Sequence, residues 1–312
     1  MTASSQADGY HVPVLAEASV DALVTDPDGT YVDVTFGGGG HARLILARLS
    51  HAGRLLAFDQ DPDAARVAAE LDDARLTFAA ANFRHLERFA RLHGIAQADG
   101  LLADLGVSSH QFDVAERGFS YRFDAPLDMR MAQDGGDGQT AAELLARISA
   151  DELQLVLGAY GEVRNARTVA RALVAHRDRV PLRTTGDLVA ALDPHVRGNR
   201  PRYLAQVFQA LRMAVNDELS ALEELLAQAE RLVRPGGRLV AIAYHSGEDR
   251  LVKNVIRAGR PDGRHDADDY GRIRRPWRAV TRKPLAAPDD ETNRNPRARS
   301  ARLRVAERTD EQ

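Results

Sequence analysis

Thr30–His41 reads TYVDVTFGGGGH, and this stretch decides the fold. Its β-branched and aromatic residues form a strand, and the four glycines that follow bring that strand into a turn of bare backbone. Working outward, a second apolar run, RLLAFD, closes on Asp59, and the interval from Gly39 to Asp59 is 20 residues. In parallel α/β sheets that bind a nucleoside, the glycine turn lies about 20 residues before the acid that accepts from the ribose hydroxyls. Asp59 is not needed as a helix cap, because Asp61 supplies one and Pro62 takes the first helical position.

The glycine pattern restricts the ligand. GGGGH departs from G-x-G-x-x-G and lacks the Lys-Ser/Thr pair of a P-loop, so dinucleotides and nucleoside triphosphates fit poorly. S-adenosylmethionine fits better, since it carries a ribose and a base but no phosphate.

Strands and helices alternate through the first hundred residues. After the first two strands come LTFAAANF, ending at Phe83, and ADGLLADLGV, Ala98 to Val107, with a helical stretch between them. Such alternation predicts parallel pairing through helical crossovers. The pattern then changes. From Ala115 to Val196 no strand-like run occurs, while Thr140-x-x-Glu143 and Ser149-x-x-Glu152 are capping boxes ahead of helical periodicity. Further helices are expected at Asn165–His176, Asp187–Leu192 and Phe208–Leu232, the last ending before Pro235-Gly236-Gly237, after which GRLVAIAYHS resumes the strand pattern. QDGGDG at Gln133–Gly138 and the Asp-rich stretch near His265 read as loops. The expected architecture is α/β: a doubly wound, Rossmann-like sheet over 1–112 and 206–312, with an all-helical insertion over 113–205.

Composition narrows the class. The 312 residues are 44% hydrophobic and 28% charged, with no apolar stretch long enough for a membrane span and no signal-peptide layout, so a cytoplasmic protein is expected. Zero cysteines exclude disulfides, iron–sulfur clusters and a cysteine nucleophile of the kind that pyrimidine C5 methylation uses. Net charge is −3, yet Gly271–Arg308 holds twelve Lys and Arg against four Asp and Glu. With Tyr270 and Trp277 nearby, this tail reads as a polyanion-binding face on which bases can stack, or as a solvated, arginine-rich end.

The succession HVPVL, DVTFGGGGH, DLGVSS, RGFSY, PLDMRM, FQALR, VNDEL, PGGRL, HSGEDR and NPRARSARLRVAER resembles the bacterial small-subunit ribosomal RNA cytosine-N4 methyltransferase family, from His11 to Arg308 and in family order. The resemblance implies methyl transfer from S-adenosylmethionine to the exocyclic amine of one cytidine in the decoding region of 16S rRNA. It implies a cofactor site at Gly39, Gly40, His41, Asp59, Phe83, Asp104 and Gln111, with no metal. It also places His245, Asp128, Arg130 and the Asn295–Ser300 motif near the active cleft, with His245, Arg130, Arg297 and Arg299 as candidates for meeting the RNA. Implied partners are 16S rRNA within the small subunit and, in a homodimer, a second copy of the chain. Three departures from the family pattern, Gly247, Ala125 and Leu204–Val207, touch none of the cofactor residues.

These positions also have physical readings. Gly39 and Gly40 admit the methionine moiety, and His41 opens a helix where a donor can meet a carboxylate. Phe83 covers the adenine or belongs to the core. Asp104 ends a strand facing the ligand crevice, where it can orient the amine N–H bonds of an extracted cytosine, as can the carbonyls of DLGVSS. His245 suits either the cleft or a structural hydrogen bond. The loop Asp104-Leu105-Gly106-Val107 stands where DNA amino-methyltransferases carry a Pro-Pro-aromatic motif, which lowers DNA as a substrate. A DNA or other amino-methyltransferase would share the pocket, and a non-catalytic rRNA-binding assembly factor would have a damaged one.

Overall fold

A computed structural model describes residues 13–132, 138–265, 267 and 270–310. His11 and Val12 of the HVPVL motif, and most of the expected Gln133–Gly138 loop, lie outside the described residues. The chain divides into two compact units, one made of 1–106 and 220–312 and the other of 107–219.

The first unit is built on seven strands: β1 (Thr30–Asp33), β2 (Arg54–Asp59), β3 (Leu76–Ala80), β4 (Ala98–Asp104), β5 (Val233–Ala243), β6 (Trp277–Ala279) and β7 (Arg302–Arg308). Their order is β3-β2-β1-β4-β5-β7-β6, parallel from β3 to β5 and antiparallel in the last two pairings. The order reverses at β1 and β4, so the loops leaving these neighbours diverge and open a crevice at their carboxyl ends. Register fixes what lines it: Asp33 stands beside Ala57 of β2 and Leu102 of β4, and Asp104 beside Ile242 of β5. The apolar strand residues Tyr31, Leu55, Ala57, Leu102, Val240 and Ile242 join Val20, Leu23, Ile45 and Leu303 in one buried cluster, and burial on this scale stabilises at roughly 25 cal/mol per Å² of apolar surface.

The second unit is helical. Its helices Ala141–Arg147, Ala150–Ala159, Ala166–Arg177, Thr185–Leu192 and Arg200–Val215 enclose a separate core that includes Leu145, Leu153, Leu157, Val169, Leu173, Leu188, Leu204 and Leu211. Both expected capping boxes form, with the Thr140 and Ser149 hydroxyls accepting from the Glu143 and Glu152 amides and those carboxylates accepting in return. The unit borders differ from those expected at 112/113 and 205/206, because the helix Arg200–Val215 contributes Tyr203, Leu204, Val207, Phe208 and Leu211 to the helical core.

Two other expectations are corrected. The single helix over Phe208–Leu232 is two, Arg200–Val215 and Glu218–Leu232. Between them Asp217 takes a positive φ of 48°, and the Asn216 side chain donates to the carbonyls of Met129 and Arg212 while accepting from the Met131 amide. An amide so engaged stabilises the break more than continued helix would. The tail contains two strands that its charge conceals: β7 lies inside the sheet, and Trp277 of β6 is 3% exposed with the Arg308 guanidinium over its ring. Trp277 is therefore a packing residue and not a surface for bases.

Candidate active site

The loop after β1 is held from both sides. The Phe36 amide donates to the Phe58 carbonyl at 2.9 Å and the Gly39 amide to the Phe36 carbonyl at 2.8 Å, which curls the chain into the helix Gly40–Arg48. Gly39 has φ 72°, and a Cβ there would stand 2.9 Å from the Phe36 ring, so only glycine fits without strain. That helix has no side-chain cap, which leaves its first amides facing the crevice end of the sheet.

Three carboxylates close the carboxyl ends of β1, β2 and β4. Asp59 accepts from the Gly37 amide at 2.8 Å and the Asp61 amide at 2.9 Å. The carboxylate thus ties the β1 loop to the β2 loop, while Asp61 caps the helix Pro62–Glu70 as expected. The Gln60 amide donates to Asp59 as well, and of the roughly four acceptor positions of a carboxylate this leaves about one for a ligand. Burial raises Asp59 to about 6 against the pull of these amides. Asp33 is fully buried; one oxygen accepts from the Thr35 amide, and the other, Oδ2, has no hydrogen-bond partner. Burial raises it to about 7, with the Thr35 bond opposing and Asp59 adding.

Asp104 ends β4, the middle strand of the seven. Its amide donates to the Thr35 hydroxyl at 2.7 Å, and its Oδ1 accepts from the Tyr244 hydroxyl at 2.8 Å. Its Oδ2 is 3.7 Å from His41 Nδ1, and its side chain is one-fifth exposed. Burial raises Asp104 to about 7, the Tyr244 bond lowers it, and Asp33 and Glu248 raise it further. His41 is driven the opposite way by burial, to about 4, so at neutral pH it is an uncharged imidazole beside the carboxylate.

Phe83 lies three residues beyond β3, where it opens a short 3₁₀ turn capped by the Asn82 side chain and is half-buried. Asn82 Nδ2 donates to Gln60, the neighbour of Asp59, which ties this turn to the loop after β2. The structure therefore brings Gly39, Gly40, His41, Asp59, Phe83 and Asp104 to one end of one sheet. Gln111 belongs to the second unit, where it is 4% exposed and completes a capping box with Ser108. Asp33, Thr35 and Tyr244 are missed by the sequence reading. An acid closing a strand just ahead of a glycine loop is the signal for Asp33, whereas nothing local to Tyr244 betrays a bond made across 140 residues.

Residues 8–309 match the MraW methylase family. The chain belongs to that family. It is 51% identical over 300 residues to ribosomal RNA small subunit methyltransferase H of Cytophaga hutchinsonii, covering 96% of this chain and 99% of that one. The proteins of the same name from Bacteroides thetaiotaomicron and Parabacteroides distasonis are 49% and 50% identical, with 96% of this chain and 97% of each of theirs covered.

A methylase cofactor must fit this crevice. S-adenosylmethionine carries a sulfonium and an ammonium, and the crevice offers three carboxylates, one with an unpartnered buried oxygen. A polyphosphate would be repelled by the same acids. Asp33, Asp59 and the glycine loop are the groups present here that could hold such a cofactor.

The residues expected near RNA have local roles. His245 caps the helix Ser246–Ala258: its Nδ1 accepts from the Gly247 amide at 3.1 Å, and Glu248 Oε2 accepts from the Tyr244 amide. This favours the structural of its two readings. Arg130 and Asp128 form a bidentate pair at 2.8 Å within the second unit. In the tail, Arg304 pairs with Asp249 at 2.7 Å, Arg294 with Asp290 at 3.0 Å, Arg274 with Glu230 and Arg278 with Glu307, and Arg308 donates to three carbonyls. Much of the tail's positive charge is thereby used inside the fold. Arg297 and Arg299 lie on the short turn Pro296–Ser300, Arg297 half-buried and Arg299 exposed.

Proposed function

We propose that this methylase transfers the methyl group of S-adenosylmethionine to the exocyclic N4 amine of a cytidine in the decoding region of 16S rRNA, within the small ribosomal subunit. The observation that carries the reading is the fit of a carboxylate-lined crevice, Asp104 among its acids, to a chain about half identical along its length to proteins named ribosomal RNA small subunit methyltransferase H. The cofactor supplies an electrophilic methyl carbon whose bonding pair returns to sulfur on transfer. The chain must do the rest. A cytosine N4 lone pair is delocalised into the ring, so the base has to be drawn out of its stack and its amine aimed in line with the methyl group. Asp104 accepts an amine N–H through Oδ2, which localises the lone pair on nitrogen, and takes up the proton released after the N–C bond forms. His41, uncharged, leaves that carboxylate unneutralised.

In this reading the helical unit supplies substrate recognition through Arg130 and a cofactor residue in Gln111, and Arg297 and Arg299 of the sheet unit contribute to RNA binding. The protein acts in the cytoplasm; among its described residues no helix is long and apolar enough to cross a membrane. The test is incubation of the purified protein and labelled cofactor with small subunits from cells lacking the gene, with naked 16S rRNA and with DNA. Label in one N4-methylcytidine of the rRNA supports the reading; label in DNA alone overturns it.

A further inference from the structure

The Asp104 carboxylate is handled asymmetrically. Oδ1 accepts from the Tyr244 hydroxyl at 2.8 Å, while Oδ2 faces the uncharged His41 Nδ1 at 3.7 Å, beyond hydrogen-bond reach. Tyr244 is itself firmly placed. It follows β5 by one residue, its amide donates to Glu248 Oε2 at 2.9 Å, and its ring packs on the core of the first unit and passes close to Gly106, where an added Cβ would stand 3.5 Å away. We propose that Tyr244 is a positioning residue for methyl transfer: its hydroxyl fixes the Asp104 carboxylate so that Oδ2 is the oxygen presented to the amine, and eases the ionisation of that carboxyl.

The charges around Asp104 explain why such a donor is needed. Asp33 on β1 and Glu248 on the helix after β5 both oppose its ionisation, and His41, the nearest base, is uncharged near neutrality. The Tyr244 hydroxyl is the group that favours the carboxylate. It cannot titrate away, because burial and the Asp104 charge raise the phenol far above its ordinary value. A neutral donor to one oxygen supports the anion without competing for the other.

This inference rests on the reading of Asp104 as the group that meets the amine. Tyr244→Phe keeps the ring and removes only the hydroxyl. Two measurements are made on the full-length protein. Carbon-13 carboxyl titration of aspartate-labelled protein, with the Asp104 resonance identified by its loss in Asp104→Asn, should show the midpoint rising by about one unit in Tyr244→Phe, equivalent to tenfold in protonation. Single-turnover methylation of small subunits should show its acidic limb displaced upward by the same amount, with about tenfold loss near pH 6 that shrinks above pH 8. In the Asp104→Asn background, adding Tyr244→Phe should change the rate less than twofold. An unmoved Asp104 midpoint, or a rate loss equal at every pH, overturns the positioning role. A parent protein that leaves small subunits unmethylated overturns the substrate reading instead, and the titration still decides whether Tyr244 governs Asp104.

Discussion

At the scale of single residues, buried acids define this site and carry its most direct tests. Asp33 sits at about 7 when folded against 3.8 unfolded. Between those values the folded state holds a proton that the unfolded chain releases, so stability falls as pH rises from about 4 to about 7. Asp33→Asn should therefore stabilise the ligand-free protein at pH 8 by about 1 to 4 kcal/mol and have no effect near pH 4. Urea unfolding at the two pH values checks this, and equal effects at both would show that Asp33 is ionised without penalty. The same substitution removes a charge from the cofactor's cationic end, so affinity should fall while stability rises. Asp59→Ala should weaken S-adenosylmethionine binding by tenfold or more, since charge-assisted hydrogen bonds contribute roughly 1.5 to 3 kcal/mol each. Unchanged calorimetric affinity in the folded variant would reduce Asp59 to a clamp between the Gly37 and Asp61 amides. Much of this was legible in sequence: glycines, an acid about 20 residues on and a strand-end Asp104 all mark the crevice. The double duty of Asp59 was hidden because a carboxylate bonded to loop amides and one bonded to a ribose look the same in a sequence.

Among the elements, the parallel strands were readable from their apolar runs and the capping boxes from their spacing. β7 was not, because RLRVAER alternates charge with apolar residues and its arginines invite a nucleic-acid reading. Inside the sheet those alternate residues find acids, as Arg304 does at Asp249. The helix Ser246–Ala258 illustrates the converse: a histidine that looks catalytic by its position at a strand end is a helix cap. His245→Ala should cost about 1 kcal/mol of stability, in the range of lost N-caps, and leave cofactor affinity unchanged. Thermal unfolding with calorimetry tests it; intact stability with lost turnover would return His245 to the RNA. Arg297 and Arg299 remain the tail residues proposed for phosphate contact. Replacing both with alanine should lower RNA affinity and reduce the salt slope by up to about 2. Parallel log–log salt plots for parent and variant would assign them to the fold.

For the whole molecule, the two units have separate hydrophobic cores. The sheet unit carries the crevice, and the helical unit enters the chain between β4 and β5, directly after the Asp104 strand. An insertion at that point is attached to the carboxyl edge where ligands bind in such sheets. Sequence showed the insertion by its change of period, and the compact units divide at 106/107 and 219/220, with the buried face of the helix Arg200–Val215 in the helical core. The central claim, that this crevice methylates a cytidine amine of small-subunit rRNA, is tested most directly by mass mapping of 16S rRNA after small subunits lacking the modification are treated with purified protein and S-adenosylmethionine. The account predicts a single cytidine gaining one methyl on N4, lost with Asp104→Asn. No gain on any cytidine amine, or a methyl on a ring carbon, would contradict it.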